Sequence, residues 1–442
     1  MNIGIKTLGC KANRADTDQL ISRIMKEFGA GVSISEVNNA NDLGTSVLDV
    51  CVVNTCTVTH VADRKSRSSI RTFRREFPEA KIIVMGCGPK ADHEAYQKVT
   101  GVDLVSSDVE EVLNFLNSLD LGKTDASEGT NAAKTGQRTR AVLKIQDGCN
   151  NFCSYCIIPF ARGREKSFPV EGILDDVRQK EAEGFKEIVL TGINIGNWEG
   201  TDNGGEKLNL AQLIMKILDE TSVARLRLSS IEPQNFVDEF EVLLTDEKYR
   251  DRFCPHLHMS LQSGADAVLE AMRRHYPAKL YKKVAQGLIK MRPEIALTTD
   301  VIVGFPGETE EDFEETYEFV RSIGFAKVHV FPYSKRRGTK AAIMDDQIPE
   351  DVKKARAKKL KELAEKLRLE FFDKNVDAVY PVLFEEKLRG RDGTWEGFTP
   401  NYIKVQVKSD DDLTNQILDV RLKALGKTEN KNAAMVSGAL IL

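Results

Sequence analysis

Cys149-Asn150-Asn151-Phe152-Cys153-Ser154-Tyr155-Cys156 is the stretch on which the fold turns. Its spacing is C-x3-C-x2-C, with an aromatic residue just before the third cysteine. Three thiolates on one short loop can hold three corners of an iron–sulfur cube. No fourth cysteine follows nearby, so one iron would lack a protein ligand and stay open to a small molecule, the logic of a catalytic metal site. A structural zinc loop is the alternative. Such loops usually close with a fourth Cys or His, whereas this one runs on into Ile157-Ile158-Pro159.

Working outward, 442 residues are enough for two or three domains. The net charge of −4 argues against a uniformly nucleic-acid-coating protein but leaves room for local basic patches. No window approaches a membrane span and the amino terminus lacks a secretory apolar region, so a cytoplasmic location with no membrane partner is expected. Eight cysteines in such a chain point to metal or catalysis rather than disulfides.

Residues 1–119 read as a doubly wound parallel α/β unit. Strands are expected at Ile3–Leu8, Val47–Thr55 and Lys81–Gly86, and helices at Arg14–Phe28, Ala62–Phe77 and Val109–Leu119. Cys10, Cys56 and Cys87 each sit just past a strand end. Carboxyl ends of parallel strands converge on one edge, so these three thiols can meet in space. Cys51 lies inside its strand and reads as a small core residue. The second helix carries Arg64, Lys65, Arg67 and Arg71; such a run is either a solvated face or a phosphate-contacting one.

Residues 120–139 read as a linker. They include Gly129-Thr130-Asn131-Ala132-Ala133-Lys134-Thr135, a near miss to a phosphate-binding loop, rejected because Ala133 stands where glycine is required and no strand precedes it. Residues 140–335 repeat a strand–helix rhythm. The strands are Ala141–Gln146, Glu187–Thr191, Arg225–Ser229, Leu257–Leu261, Leu297–Val303 and Lys327–Phe331. Six such units predict a parallel sheet curled into an open barrel, since full closure takes about eight. The polar segments after these strands contain Asn194, Ser230, Glu232 and Gln262, and the cysteine loop follows the first strand. Residues 349–374 are a periodic helix. Residues 375–442 switch to short alternating strands, which predict a small antiparallel β-barrel of a kind that often binds RNA.

Taken together, the C-x3-C-x2-C loop resembles the radical S-adenosylmethionine superfamily, and nearly the whole chain resembles its methylthiotransferase family. Thr7-Leu8-Gly9-Cys10-Lys11-Ala12-Asn13, Asn54-Thr55-Cys56-Thr57-Val58-Thr59 and Ala62-Asp63-Arg64-Lys65-Ser66-Arg67 resemble the branch acting on N6-threonylcarbamoyladenosine in tRNA. Phe160-Ala161-Arg162-Gly163-Arg164-Glu165, Met259-Ser260-Leu261-Gln262-Ser263-Gly264 and Thr299-Asp300-Val301-Ile302-Val303-Gly304-Phe305-Pro306-Gly307-Glu308-Thr309 are similar to motifs shared across the family. Cys87-Gly88-Pro89-Lys90 departs somewhat from its usual pattern.

The resemblance implies an N-terminal methylthiotransferase domain (1–119), a linker (120–139), a radical domain with a trailing helix (140–374) and a TRAM-like RNA-binding barrel (375–442). It implies replacement of the C2 hydrogen of the modified adenosine at position 37, beside the anticodon, by a methylthio group. It also implies two 4Fe–4S clusters, one on Cys149, Cys153 and Cys156 and an auxiliary one on Cys10, Cys56 and Cys87. S-adenosylmethionine would serve as methyl donor and radical source, contacted by Tyr155, Asn194, Ser230, Glu232 and Gln262. tRNA would be the partner, with Arg64, Lys65, Arg67, Arg71, Arg162 and Arg164 as RNA-contact candidates, alongside a flavodoxin- or ferredoxin-type reductant. The rival substrates are isopentenyladenosine tRNA and a ribosomal-protein side chain. A rival of another class is a non-catalytic RNA-binding protein with structural metal.

Overall fold

The computed structural model describes residues 1–37, 47–119, 139–388, 390–391, 393–426 and 435–441. The expected linker and the rejected phosphate loop lie outside them, apart from Thr139. Two compact units emerge. One comprises Met1–Gly136, Asp147–Glu165 and Ser334–Ala342, and the other Gln137–Gln146, Lys166–Tyr333 and Ile343–Leu442. The cysteine loop thus groups with the amino-terminal fold, and the C-terminal barrel is one unit with the six-stranded sheet. Both groupings cut across the domain limits expected from the sequence.

The first unit is a five-stranded parallel sheet in the order β2-β1-β3-β4-β5, formed by β1 (Asn2–Thr7), β2 (Ser33–Glu36), β3 (Val50–Thr55), β4 (Lys81–Gly86) and β5 (Leu104–Val105). Strand β3 is buried along its whole length, as a central strand covered on both faces must be. Cys51 faces the apolar layer with Val53, Ile70 and Phe73 and is a core residue. Helix His60–Glu76 begins on Thr59, whose hydroxyl accepts from the Ala62 N–H.

The second unit holds β6 (Arg140–Lys144), β7 (Glu187–Thr191), β8 (Arg225–Leu228), β9 (His256–His258), β10 (Ala296–Val303) and β11 (Lys327–Pro332). The pairings β6·β7, β7·β8, β9·β10 and β10·β11 are all parallel, and single parallel bridges join β8 to the β9 segment. The result is an open six-stranded (β/α) sheet. Leu297, Val301, Val303, Val328 and Val330 pack outward into the helical core. By the two-residue period of a strand, Asp300, Ile302, His329 and Phe331 face the other way, into the concave interior.

The C-terminal strands β12 (Val379–Lys387), β13 (Thr394–Phe398), β14 (Lys404–Lys408), β15 (Ile417–Gly426) and β16 (Met435–Leu440) close into a barrel ordered β12-β13-β14-β16-β15. The small barrel expected from the sequence is present and antiparallel except at one pair, since β14 and β16 run parallel. Five strands closed in a ring cannot alternate direction throughout, so one neighbouring pair must be parallel. The barrel is tied to the amino end of the six-stranded sheet through buried charge. Arg227 donates to Glu187 at 2.6 and 3.0 Å and to the Pro400 carbonyl at 2.8 Å, and Arg225 donates to the Phe398 carbonyl at 3.1 Å. Burial opposes ionisation of Glu187, but Arg227, Arg140 and Arg225 outweigh it and hold this carboxylate below its ordinary range. Among the described residues no helix is long and apolar enough to cross a membrane.

Candidate functional site

Three strand ends of the first unit carry Cys10, Cys56 and Cys87, after β1, β3 and β4. Their loops are stapled by side chains that are fully buried. The Asn13 amide donates to the Leu8 carbonyl at 2.7 Å and the Thr55 carbonyl at 2.8 Å. Asn54 donates to the Asn13 carbonyl at 2.7 Å. Thr55 Oγ1 donates to the Met85 carbonyl at 2.6 Å and accepts from the Gly88 N–H at 3.1 Å. Every loop is therefore fixed to the next, and the cysteines are presented by a preset frame. Gly9, at φ +103°, makes that approach possible, because a Cβ there would lie 2.8 Å from Cys56 Cβ and 3.0 Å from its sulfur. Each thiol lies within electrostatic reach of the other two.

The C-x3-C-x2-C loop belongs to the same unit. Gly148, at φ +71°, starts it, since a Cβ there would strike the Arg164 carbonyl. The Cys149 N–H donates to the Gly163 carbonyl at 3.1 Å, the Cys156 N–H to Cys153 O at 3.0 Å, and the Asn151 N–H points at Cys149 Sγ from 3.5 Å. Ser154 O accepts from the Ala341 N–H at 2.8 Å, so the 334–342 segment braces the loop. Tyr155 is half-buried within it.

Arg162 packs against the strand-end cysteines, which corrects its expected role as an RNA contact. Its side chain is 2% exposed, out of reach of any nucleic acid. Nε donates to Cys87 Sγ at 3.2 Å, and the two Nη atoms reach Asp147 at 3.2 Å, Asp16 at 2.8 Å and Asn13 Oδ1 at 2.5 Å. Burial disfavours the charge, but Cys87, Asp16 and Asp147 more than offset it and hold the guanidinium firmly protonated. Burial pushes the Cys87 thiol up to about 11 against the opposing pull of Arg162. A thiolate ligand at Cys87 therefore needs a positive partner, and Arg162 is a fixed one.

Of the other cationic candidates, Arg64, Lys65, Arg71 and Arg164 are exposed. Arg67 is half-buried, paired with Asp63 at 3.1 Å and stacked over Tyr96 at 5.1 Å. Beside them lies an open cleft of about 710 Å³ lined by Thr57, His60, Arg67, Phe160, Arg336 and Arg337, among others. Arg336 donates to Thr57 Oγ1 at 2.5 Å, and Phe160 is 58% exposed. Sequence reading passed over Asn13, Asn54, Thr55, Arg336 and Phe160 as individual site residues; the first three stand one to three positions from a cysteine, the signal that was available.

Asn194, Ser230, Glu232 and Gln262 lie along the carboxyl edge of the second unit's sheet. The Asn194 N–H donates to Gln146 Oε1 at 2.8 Å, and Glu232 is paired with Arg274 at 2.5 Å. Gln262 takes φ +70° while its backbone bridges Asp300 O and the Ile302 N–H at 2.8 and 2.9 Å. A positive φ at a non-glycine residue is the kind of backbone strain that clusters at ligand sites.

An open six-stranded parallel sheet together with a three-cysteine loop after its first strand defines a radical S-adenosylmethionine enzyme. Residues 143–320 match the Radical SAM superfamily, and residues 2–107 match the uncharacterized protein family UPF0004. Threonylcarbamoyladenosine tRNA methylthiotransferase MtaB of Bacillus subtilis is 37% identical over 97% of this chain and 95% of its own. The Aquifex aeolicus protein of the same name is 35% identical over 92% and 96%. The tRNA-2-methylthio-N(6)-dimethylallyladenosine synthase of Endomicrobium trichonymphae is 32% identical over 96% and 97%. Among solved structures, the radical S-adenosylmethionine methyltransferase TsrM of Kitasatospora setae shares the fold, with a TM-score of 0.55 over 77% of each chain at 14% identity. The chain belongs to the radical S-adenosylmethionine tRNA methylthiotransferase family, and membership implies a 4Fe–4S cluster and S-adenosylmethionine.

Proposed function

We propose that this protein transfers a methylthio group to C2 of N6-threonylcarbamoyladenosine at position 37 of tRNA, using two 4Fe–4S clusters. The observation that carries the reading is the convergence of Cys10, Cys56 and Cys87 in a frame that also holds Arg162 against Cys87. The names of the Bacillus subtilis and Aquifex aeolicus relatives support the substrate.

In this reading Cys149, Cys153 and Cys156 hold the cluster that binds S-adenosylmethionine, and Cys10, Cys56 and Cys87 hold the auxiliary one. The donor sets fit: each offers three thiols and leaves a fourth corner for a small ligand. Bound there, such clusters would supply one-electron and sulfur-transfer chemistry, which an unactivated aromatic C–H demands. The protein's own residues do the positioning. Asn13, Asn54 and Thr55 fix the distances between the three strand-end thiols. Arg162 compensates thiolate charge at Cys87 from a desolvated position, where a fixed charge acts strongly. Tyr155, Asn194, Ser230, Glu232 and Gln262 provide the polar contacts for S-adenosylmethionine.

The RNA side follows from charge and aromaticity. Arg64, Lys65, Arg71 and Arg164 offer phosphate contacts, and the exposed Phe160 ring offers a stacking surface suited to an unpaired loop base. The C-terminal barrel contributes further RNA contact, a flavodoxin- or ferredoxin-type protein supplies electrons, and the reaction takes place in the cytoplasm. The test is mass spectrometry of tRNA nucleosides from a strain lacking the gene, with and without complementation. Loss of the 2-methylthio derivative of threonylcarbamoyladenosine alone is expected. Loss of the dimethylallyl derivative instead would move the substrate to the other branch of relatives.

A further inference from the structure

Deep in the concave face of the six-stranded sheet, three neighbouring strands bring His258, Asp300 and His329 together. One ligand-type atom from each lies within 4.8 Å of the others. His258 Nε2 is 3.3 Å from Asp300 Oδ2, and its Nδ1 is 2.9 Å from Thr298 Oγ1. The Nδ1 contact with the Thr298 hydroxyl leaves Nε2 as the ring nitrogen that faces Asp300. The His329 ring stands 6.0 Å from that of His258 and stacks on Phe331, whose ring plane is 23° away. Asp300 is 32% exposed and His258 16%, so the group is reachable from the interior. Interiors and carboxyl faces of such sheets are where ligands sit, and a polar cluster there acts by selecting among them.

We infer that His258, Asp300 and His329 recognise the polar substituent on N6 of the substrate adenosine, an inference that rests on the substrate reading under Proposed function. A threonylcarbamoyl group carries N–H and O–H donors as well as carbonyl and carboxylate acceptors. The cluster answers both kinds: the imidazoles offer N–H donors to the acceptors, and the Asp300 carboxylate accepts from an N–H or O–H. The stacked His329–Phe331 pair forms a flat wall beside them. A dimethylallyl group offers no hydrogen-bonding partner to the part-exposed Asp300 carboxylate, the situation that makes built polar sites reject apolar analogues. His329 is thus a specificity-determining residue.

The test uses cluster-reconstituted enzyme and anticodon stem-loop RNAs carrying threonylcarbamoyladenosine, dimethylallyladenosine or unmodified adenosine at the target position. For His329→Phe, the ratio of kcat/KM on the threonylcarbamoyl RNA to that on unmodified RNA should fall about 10- to 100-fold, mainly through KM. His329→Gln, which keeps an N–H donor, should recover much of that ratio, and Asp300→Asn should lower it independently. A merely structural role would depress all RNAs alike. An unchanged ratio in both His329→Phe and Asp300→Asn, while wild type still acts on threonylcarbamoyl RNA, overturns this inference alone. Wild type that ignores threonylcarbamoyl RNA but modifies another overturns the substrate reading and the inference with it. One zinc or iron(II) ion bound per cluster-free wild-type chain and absent from His329→Phe would overturn it in favour of a metal site.

Discussion

Arg162 and Arg227 are both buried guanidiniums with carboxylate partners, yet they serve different ends. Arg227 lies in the second unit with its side chain fully buried, and its bonds to Glu187 and to the Pro400 carbonyl close a wholly internal network. Arg162 lies in the first unit, 2% exposed, and spends Nε on a thiol. Two carboxylates already balance its charge, so contact with Cys87 is not needed for neutrality. The difference separates charge that holds a fold together from charge set against a thiol. A buried arginine bonded only to carboxylates and carbonyls ties elements, whereas one that also faces sulfur conditions that sulfur's chemistry.

The strongest perturbation of the comparison is removal of the sulfur on either side. Replacing Cys149, Cys153 or Cys156 by Ala should lower formation of 5′-deoxyadenosine by on the order of a thousandfold or more, since these ligands act as a unit. Chromatographic quantification of that product checks it, and a normal rate would remove these residues from the cluster. Next in size is Arg227→Ala, which removes the hydrogen-bonded partner of the buried Glu187, leaving Arg225 at 3.8 Å, and should cost about 3 kcal/mol of stability. Replacing both partners, as Arg227→Met with Glu187→Leu, should restore most of that in denaturant titrations while leaving iron content unchanged. If the double variant is as unstable as the single one, Arg227 does more than pair with Glu187.

Arg162→Gln should behave in the opposite way. Its stability loss should be smaller, because Asp16 and Asp147 are 17% and 22% exposed and can take up water. The proposed auxiliary cluster should then have a reduction potential more negative by tens of millivolts, since a cationic N–H···S donor is gone. Potentiometric titration followed by electron paramagnetic resonance reads this directly, and an unshifted potential would return Arg162 to the purely structural class. The smallest effect is expected from the exposed cations. Arg64→Ala, Lys65→Ala and Arg71→Ala should each weaken tRNA binding modestly and flatten its dependence on log salt by about 0.7–0.9 for each phosphate no longer neutralised. Binding titrations at several salt concentrations would show no change in slope if these side chains are only a solvated face.

Much of the architecture was legible because hydrophobic period and strand-end placement are local signals. Lys81–Gly86 and Glu187–Thr191 were delimited from sequence with the same bounds the structure gives. The short edge strands Ser33–Glu36 and Leu104–Val105 were not; four and two residues give too little pattern, and pairing with a neighbour decides them. Cys10, Cys56 and Cys87 were found because each follows a strand. Arg162 was misread because nothing within its own motif, beside the exposed Arg164, tells that Asp16 and Asp147 enclose it. His258, Asp300 and His329 come from three strands, and only the register of β9, β10 and β11 places them on one face.

The central claim is that two separate sets of thiols do separable work. The most direct test is the triple variant Cys10→Ala, Cys56→Ala, Cys87→Ala, assayed with an artificial reductant, with 5′-deoxyadenosine and the 2-methylthio nucleoside quantified from the same reaction. The account predicts one remaining cluster, continued 5′-deoxyadenosine formation and no methylthiolated RNA. Methylthiolation at the wild-type level would contradict it.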